Sequence, residues 1–187
     1  MGKSLKLTLI LMGIVLGIFF IVPIILPSQV EVQASKEIKA PKTLVFAQIS
    51  NLKNRAQWTP FEKTSNMKDS LSLPETGIGA KYYWKSGDTV KRVLTITQLK
   101  APDFIEMELW FPNNHGATEK WDLTGDSTQT HVTWHFTVMN LNYPFGKWLG
   151  LVLRSSLGSV LKEGLNKLDN ACTKENSEAT KETNQPI

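Results

Sequence analysis

From Leu7 to Leu26 every residue is apolar, glycine or proline except Thr8, and no other stretch limits the fold as strongly. A helix of about 20 residues, at about 1.5 Å each, covers roughly 30 Å, the thickness of a bilayer's hydrocarbon core. The run is apolar on every face and its lysines, Lys3 and Lys6, flank one end only, unlike a helix buried in a soluble core. A secretory signal has a shorter apolar centre of about 7–15 residues followed by a small-residue cleavage site. The nearest such site is Val32-Gln33-Ala34, and cutting there removes what reads as the domain's first strand. Residues 7–26 therefore read as a transmembrane anchor, with a cleaved signal as the alternative. No basic residue follows Lys6 until Lys36, so the positive-inside bias places residues 1–6 in the cytoplasm and the remainder in the periplasm or exterior. Met1-Gly2 starts like an acylation signal, but Lys6 stands where Ser or Thr is needed.

The rest of the chain is long enough for one domain with one core or ligand cavity. Removing Lys3 and Lys6 from the 21 basic residues leaves 19 against 17 acidic ones. That is not the basic stripe nucleic acid binding requires, so nucleic acid is not an expected partner. Cys172 is the only cysteine, which excludes an intramolecular disulfide and any cysteine-cluster metal or redox site.

Past the anchor, Val30–Ile38 alternates apolar and polar with one break at Lys36, the period of a half-buried strand. Pro41 can open a short helix through Phe46, and 51–55 reads as a turn or a second short helix. Strand-like stretches follow at Ala80–Trp84, Val90–Gln98, Phe104–Phe111, Ala117–Leu123 and Thr130–Met139. The segments between them, including Asn113-Asn114-His115-Gly116, have turn chemistry, which points to an antiparallel meander. From Pro144 to Asn170 the period changes: Leu149, Leu153, Leu157, Leu161, Leu165 and Leu168 recur every three to four residues, one apolar stripe on one long helix. Residues 173–187 are polar and read as a disordered tail.

In order along the chain, these residues resemble the polyketide-cyclase-like branch of the START-like or SRPBCC superfamily. The resemblance rests on Ile38-Lys39-Ala40-Pro41, Val45-Phe46, Ile49-Ser50-Asn51-Leu52 and Trp58-Thr59-Pro60-Phe61. It continues through Gly77-Ile78-Gly79-Ala80 with Trp84, Leu94-Thr95-Ile96, Thr130-His131-Val132-Thr133-Trp134, and Gly158 with Gly164-Leu165-Asn166-Lys167-Leu168. Asn51 stands where the family often has Asp. The resemblance covers residues 30–170 and implies an α+β helix-grip fold, a curved antiparallel sheet of about six or seven strands wrapped around a long C-terminal helix. It also implies a hydrophobic ligand cavity between sheet and helix, and no particular reaction, because the superfamily has no shared catalytic set.

Alternation then nominates the cavity lining: Tyr82 and Trp84, Leu94 and Ile96, Met107 and Leu109, Trp134 and Phe136, with Leu153 and Leu157 from the helix. His131 and His135 lie on a strand about 13 Å apart, too far to share a metal, and in the phase opposite Trp134. Glu106 and Glu108 are likewise out of phase with Met107 and Leu109, so they lack the burial that tunes a catalytic carboxylate. No nucleophile elbow or phosphate loop occurs, so no cofactor is expected. Lys36, Lys39 and Lys42 follow the anchor and are candidates for headgroup contact, or simply solvated. The chain reads as a membrane-tethered, non-enzymatic binding module for a lipid-like or aromatic small molecule. The alternatives are a cyclase- or hydrolase-like enzyme with Tyr82 or another polar group as acid or base, and an envelope interaction domain.

Overall fold

The computed structural model describes residues 2–60, 68–112 and 116–183. Phe61, the turn residues Asn113 to His115 and the last four residues of the polar tail lie outside the described residues. The elements are α1 (Lys3–Ile25), β1 (Val30–Ile38), α2 (Lys42–Ser50), α3 (Leu52–Trp58), β2 (Lys68–Leu71), β3 (Lys81–Ser86), β4 (Thr89–Lys100), β5 (Phe104–Trp110), β6 (Gly116–Gly125), β7 (Thr130–Met139) and α4 (Phe145–Thr183). The strands form one antiparallel sheet in the order β1-β7-β6-β5-β4-β3-β2. Strands β2 to β7 make a meander, and β1, first in the chain, adds to its far edge beside β7. The sheet curves over α4, which is the helix-grip arrangement.

Side-chain alternation sets the inward face. Along β7, Val132, Trp134 and Phe136 are buried while His131 is exposed and Thr133, His135 and Thr137 are half-buried on the other face. On β5, Ile105, Met107 and Leu109 point inward and Glu108 outward. Lys36, which breaks the alternation of β1, lies in the inward phase but extends to the edge of α4, where Nζ reaches Asn166 Oδ1 at 3.0 Å and Asp169 Oδ2 at 3.2 Å. The aliphatic stem covers apolar surface and the charge escapes the core. Strand β1 runs about 30 Å away from the end of α1, so the three lysines at 36, 39 and 42 are not at the end of that helix. Lys36 pairs with Asp169, and Lys42 with Asp103. Asn51 performs the capping that Asp would: its Oδ1 accepts the Lys53 and Asn54 backbone N–H groups at 2.9 and 3.1 Å and starts α3.

Two elements differ from expectation. Strand β2 is a four-residue edge strand, too short to carry a pattern. Helix α4 continues through Thr183, across residues expected to be a disordered tail. Leu161, Leu165, Leu168 and Cys172 are fully buried against the sheet and supply the costly nucleus. Lys174, Glu175, Ala179, Lys181 and Glu182 are good helix formers that extend it at little further cost. Where α4 crosses β7 its backbone touches the core directly: a Cβ on Gly164 would stand 2.7 Å from Trp134 Cζ3 and 3.0 Å from Pro60 Cδ.

At the far end, the β6–β7 turn is closed by Asp126, which accepts from the Thr128 N–H and hydroxyl at 2.7 Å each and from the Gln129 N–H at 3.1 Å. These bonds hold its carboxyl below the ordinary value of 3.8. Beside it, Glu37 is held below its usual value of 4.5 by hydrogen bonds first from Gln129 and then from His131. Groups depressed in the folded state add stability above their unfolded pKa and lose it as pH falls through the folded value. Asp126→Asn and Glu37→Gln are therefore expected to lower the urea midpoint at pH 7, and the gap to the parent should close as unfolding is repeated towards pH 2–3. A gap independent of pH would mean that neither carboxylate is held by these bonds.

Candidate functional site

The apolar stripe of α4 outruns the sheet. Leu161, Leu165 and Leu168 are fully buried, Leu157 and Leu153 half-buried, and Leu149 is 51% exposed. Beneath these first turns lies an open cavity of about 630 Å³, walled by Phe111 after β5, Val138 of β7, Leu141 and Tyr143 of the β7–α4 loop, and Leu149 and Leu153 of α4. Its size falls within the range of about 300–1,000 Å³ typical of small-molecule sites. Among its described lining residues Asn142 is the other polar contributor, and none is Asp, Glu, His, Lys or Cys. The Tyr143 hydroxyl donates to a backbone carbonyl, that of Phe20, at 2.8 Å. The cavity can take up apolar bulk. Its described walls hold no carboxylate, imidazole or amine for proton transfer.

Of the ten residues nominated from alternation, Leu153 lines this cavity and Leu157 follows one turn further along α4. Tyr82 borders a second hollow of about 420 Å³ with Asp69, Ala56 and Lys53, and its hydroxyl donates to Asp69 Oδ2. Trp84, Leu94, Ile96, Met107, Leu109, Trp134 and Phe136 share the inward face as expected, at 0–6% exposure. Side chains with no accessible surface, such as Ile96, Met107 and Trp134, touch no space wide enough for water and fill the core in this state.

One inward group escaped the sequence reading. Glu119 on β6 is 1% exposed and pairs with Arg55 of α3, itself 2% exposed, at 2.6 Å. The Arg55 guanidinium sits 5.4, 5.3 and 5.8 Å from the ring centres of Trp58, Trp121 and Trp134, faces that favour a cation. Trp121 Nε1 donates to the same Glu119 oxygen at 3.3 Å. Alternation along β6 places Glu119 in phase with Ala117, Trp121 and Leu123, which is the signal that could have found it. The pair is sealed in the core and braces α3 against the sheet.

The remaining polar candidates face away from the cavity. His131 meets Glu37 at 2.5 Å, and His135 lies 3.5 Å from Glu31 and 3.7 Å from Asp122, all on the outer face. Glu106 pairs with Lys120 at 3.1 Å there. Cys172 has no accessible surface; burial, aided by Glu175 and Asp169, pushes its thiol up to about 12, which leaves it protonated and unreactive.

The family described as polyketide cyclase / dehydrase and lipid transport matches residues 29–173. The chain belongs to this family. Its helix-grip fold and the hydrophobic ligand binding that the family description suggests agree with an apolar cavity between sheet and helix. Solved structures share the fold at low identity. A protein of unknown function from Staphylococcus aureus is 14% identical with a TM-score of 0.60, over 79% of this chain and 95% of that one. A hypothetical protein from Helicobacter pylori is 8% identical with a TM-score of 0.57, over 76% and 87%. CalU16 from Micromonospora echinospora is 10% identical with a TM-score of 0.53, over 81% and 82%. No curated protein matches the chain.

Proposed function

We propose that this family member is a membrane-anchored binding module that holds one lipid-like apolar molecule in the cavity beneath the start of α4. The observation that carries this reading is the composition of that cavity: about 630 Å³, apolar walls, and no carboxylate, imidazole or amine among its described lining residues. Uptake of an apolar molecule needs no more than this, whereas cyclase- or hydrolase-like chemistry needs a positioned acid or base. The anchor is α1, whose side chains lie largely bare: Leu7, Ile10, Val15 and Ile21 are 60–65% exposed. A helix of a soluble core would be covered, so this one is matched to lipid. The two lysines before it favour an orientation with the domain on the side of the membrane away from the cytoplasm.

The test is native mass spectrometry of the full chain released from lipid nanodiscs. A single acyl-lipid adduct is expected to survive stripping of the surrounding lipid. Leu153→Trp, which drives an indole into the cavity, should abolish that adduct while leaving the chain folded. An adduct equally abundant in Leu153→Trp would place the lipid elsewhere, and its absence from both proteins would sink the reading.

A further inference from the structure

We propose that Leu141–Arg154, the β7–α4 loop and the first turns of α4, is inserted in the leaflet where α1 ends, so that the cavity opens sideways onto lipid acyl chains. This rests on α1 being a membrane span.

The argument begins at Pro23. Proline has no N–H, so the Phe19 carbonyl four residues earlier loses its helical donor, and no water is at hand inside a bilayer to replace it. The domain supplies the replacement: Trp148 Nε1 donates to the Phe19 carbonyl at 3.0 Å, and the Tyr143 hydroxyl donates to the neighbouring Phe20 carbonyl. Pro23 itself is buried, and the Phe19 ring packs on Phe145 and Trp148 at centroid distances of 5.3 and 6.2 Å.

These contacts fix a depth. Phe19 precedes the end of the apolar run by seven residues, about 10 Å along a helix. A domain resting on the membrane surface could not touch α1 there. The part of the domain that does so is apolar on the outside: Phe145 is 73% exposed, Val152 61%, and Leu149 and Leu151 about half. Trp110, also half exposed, ends β5 at the same edge of the sheet. Charge follows the same layering. No acidic residue occurs from Leu141 to Arg154. Lys147 donates to the Leu26 carbonyl at 2.8 Å, and Arg154 borders a hollow with Leu26 and Glu31. Both cations thus stand at the level where the span ends and lipid phosphates begin, with the tryptophans and Tyr143 in the interfacial belt that such side chains favour.

The experiment uses the full chain in phosphatidylcholine–phosphatidylglycerol vesicles, with single cysteines replacing Phe145, Val152, Leu11 and Glu108 in turn and carrying an environment-sensitive fluorophore. Cys172, buried and protonated, stays unlabelled. Nitroxides on the acyl chains should quench the labels at 145 and 152 as they quench the label in the span at 11, and leave the label at 108 on the outer sheet face bright. Labels at 145 and 152 that behave like 108 while 11 is quenched would overturn insertion and leave the anchor standing. An unquenched label at 11 would overturn both. Blue-shifted emission at 145 and 152 without quenching by lipid would mean that protein covers this face, which also overturns the proposal. Phe145 borders the cavity but Val152 does not, so the label at 152 reads insertion whether or not the cavity is filled, and the adduct measurement stands or falls separately.

Discussion

Glu119→Ala is expected to destabilise the domain by about 3–5 kcal/mol, the range for removing one partner of a buried ion pair. The carboxylate is 1% exposed and serves two donors, Arg55 at 2.6 Å and the Trp121 indole N–H at 3.3 Å. Alanine leaves Arg55 sealed among three tryptophan rings, whose faces compensate part of the lost partner. The double variant Arg55→Met with Glu119→Leu removes the charge along with its partner and should recover part of the loss, since buried pairs replaced by apolar side chains of similar volume often cost nothing, while the Trp121 indole N–H is still left without its acceptor. Urea unfolding of the three proteins measures both effects. A loss below about 1 kcal/mol in Glu119→Ala would mean that Arg55 reaches water or another acceptor, and that the pair is not the brace it resembles.

Trp134→Ala should cost a similar amount, about 3–5 kcal/mol. Trp134 has no accessible surface, stacks on Trp121 at a centroid distance of 4.2 Å, and lies against the α4 backbone at Gly164. The hole left by the indole is bounded by Trp121, the Arg55 guanidinium and a helix whose nearest position carries no side chain to fill it. Collapse therefore requires α4 to move towards the sheet, against Pro60, which would already stand 3.0 Å from a Cβ at Gly164. A loss near 1 kcal/mol in denaturant unfolding would show that the helix does settle inward. Glu119→Ala and Trp134→Ala share Arg55 as a neighbour, so their effects should not add.

Most of the fold could be read from period alone. Two-residue alternation gave the inward faces of β5 and β7, and the switch to a three-to-four-residue period gave α4, because burial on one face leaves a regular trace in each case. What escaped has no such trace. Arg55 and Glu119 are 64 residues apart, and only the packing of a seven-residue helix over β6 brings them together. Strand β2 is only two alternations long. The extension of α4 past Cys172 depends on a helix already nucleated upstream, which local polarity conceals. The stripe from Leu149 to Leu168 was legible as a helix face, but not that its first two leucines lie beyond the sheet. The wall of the open cavity comes from that overhang and from the β7–α4 loop, where alternation has already stopped, and so of the ten nominated residues only Leu153 and Tyr82 line a described hollow.

The indole of Trp148 on the carbonyl that Pro23 leaves free has a kinetic corollary. A domain on a slack tether samples every azimuth and height, and its binding site exchanges with the aqueous phase. If, as proposed, α1 spans the bilayer and the cavity mouth lies in the leaflet, a domain latched to that helix keeps one bearing and its search for a ligand is two-dimensional. Occupancy would then follow the ligand's mole fraction among neighbouring lipids and not its concentration in water, and exchange would slow in a stiffer, more ordered leaflet.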